Sequence, residues 1–196
     1  MKKKSLALVL ALALMVVGAV AGTLAWLTAE SAPVVNTFTT SNIEVKLSET
    51  KGDGTGNQKT FKMIPGYAIK KDPKATVLDG SEECYLFVKL DKSDNFDKFL
   101  TYDKAEGWTP LTTDKDGNAI TDLVYYREVK KADIGTAYSV LANDQVTVKD
   151  DVTKDQMNAL TNENLPKLTI TAYASQLHKN ADKEFTPAEA WANVNP

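Results

Sequence analysis

The sequence predicts an all-β fold, an antiparallel sandwich or barrel, and three observations predict it. Apolar and polar residues alternate at period two over five separate segments, the pattern of strands with one buried face. Turn formers rich in Gly, Asp and Asn separate those segments, as expected for short strands joined by tight turns. Helical patterns are brief and no β-α-β alternation appears, so a parallel sheet is not expected.

The elements follow in order. Ile43, Val45 and Leu47 alternate with Glu44, Lys46 and Ser48. Cys84, Leu86, Val88 and Leu90 alternate with Tyr85, Phe87 and Lys89, and Leu123, Tyr125, Arg127 and Val129 with Val124, Tyr126 and Glu128. Val146 and Val148 mark a short strand, and Leu168, Ile170, Ala172 and Ala174 interleave with Thr169, Thr171, Tyr173 and Ser175. β-branched and aromatic residues crowd these runs, which suits a pleated, half-buried surface. Weaker strand patterns lie at Val35–Thr39, Thr60–Ile64, Ala75–Leu78 and Ala137–Leu141. Turns are expected at Gly52-Asp53-Gly54, Pro65-Gly66, Asp79-Gly80, Asp116-Gly117-Asn118 and Asn143-Asp144. Thr153 and Thr186 each stand three residues before Gln156 or Glu189, the capping-box spacing, with Pro187 at the first helical position of the second. Asp94–Leu100 has room for a turn or two of helix. Helices this short are expected to connect or cap the sheets.

Composition narrows the function. The chain has 196 residues, 23 Lys+Arg, 26 Asp+Glu, one His and one Cys, a length that fits one domain. Its −3 charge, with no basic cluster in the body, argues against nucleic acid, whose phosphates call for a Lys/Arg patch. One Cys forms no intrachain disulfide, and one His cannot supply the imidazole pair of a common catalytic zinc site.

The first 25 residues read as a secretory signal peptide. Lys2, Lys3 and Lys4 form a positive start, Leu6 to Ala21 carries no charge, and small residues follow. Cleavage after Ala21 fits the A-x-A pattern, and cleavage after Ala25 places the cut before Trp26. The competing reading is an uncleaved anchor, because the apolar run approaches the roughly 18–20 residues that span a bilayer. Removing residues 1–25 takes away three lysines and no acid, leaving 20 basic and 26 acidic side chains, a balance of −6. The rest, 26–196, reads as a single domain with membrane contact only through the leader.

Each chemical motif has a plainer explanation. Asp114, Asp116, Asn118 and Asp122 resemble calcium ligands, but the sixth and twelfth loop positions are Ala119 and Tyr125 instead of Gly and Glu, so a hairpin turn is expected. His178 has no His or Cys nearby in sequence and reads as a solvated loop residue. Cys84 shares a strand face with Leu86 and Val88 and reads as buried; the alternative is an exposed thiol linking two chains. Trp26, Trp108, Trp191, Tyr125, Tyr126 and Tyr173 could line a carbohydrate platform, although most aromatics of a sandwich are core. The residues assign no catalytic group, metal ligand or cofactor.

One ordered set of short motifs is more specific. Gly22-Thr23-Leu24-Ala25-Trp26-Leu27-Thr28, Asn36-Thr37-Phe38-Thr39 and Asn42-Ile43-Glu44-Val45-Lys46-Leu47 come first. Pro65-Gly66, Lys71-Asp72-Pro73, Tyr85-Leu86-Phe87-Val88-Lys89, Val124-Tyr125-Tyr126-Arg127-Glu128, Thr169-Ile170-Thr171-Ala172-Tyr173-Ala174 and Ala188-Glu189-Ala190-Trp191 follow. Together they resemble the TasA/camelysin family of Gram-positive exported proteins over nearly the whole chain. The resemblance implies a jelly-roll-like β-sandwich and cleavage between Ala25 and Trp26 by a SipW-type signal peptidase.

It also implies two rival functions. One is a secreted structural subunit of the biofilm matrix or cell surface, whose partners are copies of itself or related subunits. Such subunits join by lending a freed N-terminal strand to an open sheet edge. Residues 26–39 fit a donor, with Val34, Val35 and Phe38 as its apolar contacts, although Pro33 cannot donate to a ladder. Alternatively Val34–Thr39 is the first strand of its own sandwich. The other rival is a metallo-endopeptidase, for which the residues offer no recognisable metal motif. A surface adhesion or carbohydrate-binding module is a third reading.

Overall fold

The computed structural model describes residues 42–50 and 61–195. The leader, Ala25, Trp26, the 26–39 segment with Val34, Val35 and Phe38, the Val35–Thr39 strand and the Gly52–Gly54 turn lie outside the described residues. Strands β1 (Val45–Ser48), β2 (Ala68–Lys70), β3 (Lys74–Val77) and β4 (Cys84–Lys92) come first. Helix α1 (Phe96–Phe99), strands β5 (Leu100–Thr101), β6 (Thr109–Pro110), β7 (Leu123–Val129), β8 (Ala137–Ser139) and β9 (Gln145–Val148) follow. Helix α2 (Lys154–Asn158), strands β10 (Leu168–Gln176), β11 (His178–Asn180) and β12 (Lys183–Glu184), and helix α3 (Pro187–Val194) complete the chain. The fold is all-β, and among the described residues every strand pair is antiparallel and the helices are short.

The main sheet has the order β10-β4-β7-β6. Val88 stands opposite Ala172 and Tyr125, and Phe87 opposite Tyr173 and Tyr126. With a side-chain period of two, that register gathers Cys84, Leu86, Val88 and Leu90 with Leu123, Val129, Ile170 and Ala172 on one face. They pack with Ala75 and Val77 of β3 and Val146 and Val148 of β9 in one buried cluster. Those strands belong to two smaller sheets, β1-β3-β8 and β2-β9-β5. Each fully buried Val, Leu or Phe here contributes about 1.5–3 kcal/mol.

The opposite face is buried too, beyond what one-sided alternation predicts. Tyr85, Phe87, Leu111 and Val124 pack with Leu177, Ala190 and Trp191, so α3 covers the outer face of the main sheet. Both capping boxes form: Thr153 Oγ1 accepts from the Gln156 N–H and Thr186 Oγ1 from the Glu189 N–H, with each N3 side chain answering the cap N–H.

Residues 61–64 of the strand expected at Thr60–Ile64 join no ladder. Pro65 lacks an N–H, and the Ile64 carbonyl accepts the Tyr67 N–H at 3.0 Å, closing a turn with Gly66 at φ 77°. That is the signature of a type II turn, and it ends the extended run. Among the described residues, no helix is long and apolar enough to cross a membrane.

Candidate functional site

The two edges of the main sheet are built differently. On one side, β6 is two residues long, exposed, and contains Pro110, so little of it can extend a ladder. On the other, β10 pairs with β4 along its whole length, from Leu168 opposite Lys92 to Gln176 opposite Cys84, without a bulge. Among the described residues no strand pairs with its outer side; β1 lies near it but bonds to β3. Alternate residues of an antiparallel strand turn their N–H and C=O groups to opposite sides. Roughly half of the nine β10 residues therefore present main-chain groups to a side where no described strand pairs. Its sequence, LTITAYASQ, carries no charge and no proline. The devices that commonly blunt an edge (lysine, proline, a bulge) are absent from this strand.

A second feature lies on the inner face of β7. Arg127 is the only arginine of the chain and occupies a position where alternation otherwise places Leu123, Tyr125 and Val129. Its guanidinium stacks 3.6 Å from the Tyr138 ring centroid and 5.3 Å from that of Trp108. Trp108 is fixed in turn by its Nε1–H, which donates to the Ser139 carbonyl at 2.8 Å. Gly107 has φ +80°, which favours glycine, and a Cβ there would stand 2.7 Å from Arg127 Nη2, so a side chain would displace the guanidinium from its place. Burial lowers the guanidinium pKa, opposed by Tyr138 and Asp133. Sequence reading placed Arg127 on a strand and missed this stack, which depends on residues 11 and 19 positions away from it.

The remaining sequence candidates are dispersed. Asp114 Oδ1 accepts the N–H groups of Asp116 and Asn118 at 2.9 and 2.8 Å, and Oδ2 accepts Asn118 Nδ2–H at 2.9 Å. Those bonds, led by the Asn118 side chain, hold its pKa below the ordinary value. The loop closes as a turn between the bridged residues Thr113 and Ala119, as the failed calcium register predicts. His178 corrects the loop expectation: it starts β11, with Nε2 3.2 Å from Glu83 Oε2 and Nδ1 3.9 Å from Glu184 Oε1. Glu83 is held below its ordinary pKa first by the Lys131 N–H and then by His178.

Cys84 is fully buried and free, which overturns the exposed, chain-linking thiol; desolvation pushes it up to about 11. Trp108 and Trp191 are 3% and 5% exposed and belong to different core clusters, so they form no shared platform. Among the described residues, no group of three His, Cys, Asp or Glu side chains is placed to hold a metal ion. No known family, curated protein or solved structure matches the chain.

Proposed function

We propose that the chain is an exported structural protein of the extracellular matrix or cell surface, with copies joined by strand addition at the outer edge of β10. The single observation that carries this reading is the edge itself: nine uncharged residues in unbroken register with β4, and on their outer side no strand partner among the described residues. An extended segment laid there gains main-chain hydrogen bonds along its length, and the half-buried side chains of Ile170, Ala172 and Ala174 offer apolar contacts. The segment 26–39, freed by cleavage between Ala25 and Trp26, is the proposed donor, with Val34, Val35 and Phe38 as its anchors. The TasA/camelysin resemblance supports the same reading, and with it a jelly-roll-like arrangement of the sheets.

The test has two parts. Sequencing the N-terminus of the secreted form is expected to return Trp26. Residues 26–196 are expected to form fibres as concentration rises, and deletion of 26–39 to leave a folded monomer. A secreted chain that stays monomeric at every concentration overturns the proposal.

A further inference from the structure

We propose that Arg127 is a carboxylate-binding site, with its guanidinium held ready by Tyr138, Trp108 and Gly107. This goes beyond strand addition and stands or falls independently of it.

The argument begins with what stacking leaves free. A guanidinium stacked on rings uses its flat faces, and its five N–H donors lie in the plane between them. Among the described residues none of those donors has a hydrogen-bond or ion-pair partner, and Asp133 acts only as a more distant charge. Other partly buried cations differ: Lys71, Lys89, Lys92 and Lys179 each hold a carboxylate oxygen within 3.0 Å. A half-buried cation is partly desolvated, and donors that no protein acceptor takes stay available to a carboxylate arriving from outside.

The surroundings also fix the geometry. Trp108 is pinned by its bond to Ser139, the Tyr138 ring lies against the guanidinium, and Gly107 leaves space for Nη2. Little side-chain freedom remains to be lost on binding, which favours affinity. The planar fork matches one carboxylate with two parallel N–H···O bonds and one unit of opposite charge. Two sources supply that chemistry: a small free carboxylate, or an acidic side chain on a second copy of this acidic protein.

The test uses the arginine's uniqueness. In a 15N-labelled sample, Arg127 gives the only arginine Nε–H signal. Acetate added at constant ionic strength is expected to shift that signal saturably, and to shift the Trp108 indole signal with it. Chloride at the same ionic strength is expected to leave both in place. In Arg127→Lys, the Trp108 shift is expected to vanish. If the Nε–H signal instead moves with protein concentration and acetate reverses the change, the carboxylate comes from a second copy and the site stands. A signal unmoved by acetate and by protein concentration, or moved as far by chloride, overturns it. The wild-type titration decides the matter even if the variant fails to fold.

Discussion

Trp191 meets Tyr173 edge to face, with ring centroids 5.2 Å apart and planes at 89°, and its other close ring is Phe87 at 5.3 Å. A residue four positions from the end of the described chain thereby locks α3 onto β10 and β4 of the main sheet. Trp191→Ala is expected to destabilise the protein by about 3–5 kcal/mol, the range for emptying a large aromatic site. Denaturant unfolding would show it, together with dye binding to the uncovered Phe87 face. A loss below about 1 kcal/mol, typical of surface positions, would mean that α3 is not part of the stable core.

The start of the same helix should respond to acid. Glu189 receives a hydrogen bond from Lys179 Nζ, and its Oε2 accepts from the Thr186 N–H at 2.9 Å and the Thr186 hydroxyl at 3.0 Å. The Lys179 bond leads in pushing its pKa down from 4.5 to about 2. A depressed folded pKa contributes stability that is present above 4.5 and fades as pH falls toward about 2. Glu189→Gln is expected to flatten the stability–pH curve in that window, read by denaturant midpoints across it. Thr186→Ala should cost about 1 kcal/mol at neutral pH through the lost cap.

How much of this was legible in the sequence depends on strand length. β4, β7 and β10 are seven to nine residues long, enough for alternation to stand out, and they were predicted within a residue or two. β5, β6 and β12 have two residues each, too few to show a period. The capping boxes were legible because a cap is local: Thr, three residues, then Gln or Glu. Burial of Tyr85 and Phe87 was not, because what covers them is α3, about a hundred residues on. The outer side of β10 was legible only as an uncharged strand; that no described strand pairs with it follows from pairing order. Arg127 gave no signal beyond being alone of its kind.

Asn143 and Asp144 sit consecutively at φ 55° and 52°, in the left-handed region. Asn is tolerated there more readily than most residues, and Asp carries a further burden: its Oδ1 is buried with no hydrogen-bond partner. The backbone conformation is held by the Asp144 N–H donating to the Leu141 carbonyl and the Asp144 carbonyl accepting from Lys71. Asp144→Gly removes the strained Cβ and the orphaned oxygen while keeping both main-chain bonds. A gain of roughly 1 kcal/mol is expected, measured as a raised melting temperature. A loss would show that the carboxylate has a stabilising partner.

Cys84 opens β4 opposite Val129 and Gln176, with no exposed surface. The thiolate, not the thiol, is the reacting species, and burial moves the thiol from 9.0 to about 11. A thiol-labelling reagent is therefore expected to leave the folded protein unmodified at neutral pH and to modify it fully in denaturant. The labelling rate under native conditions should track unfolding, so Trp191→Ala should accelerate it. The sign of the pH effect follows from the raised value: the contribution of Cys84 is complete below pH 9.0 and lost as pH rises through about 11. Cys84→Ser, with its hydroxyl, would weaken the core at every pH by placing a polar group among Leu86, Val129 and their neighbours. Cys84→Ala would remove the alkaline step at the expense of a small cavity. Rapid labelling of the native wild-type protein would contradict the burial on which each of these expectations rests.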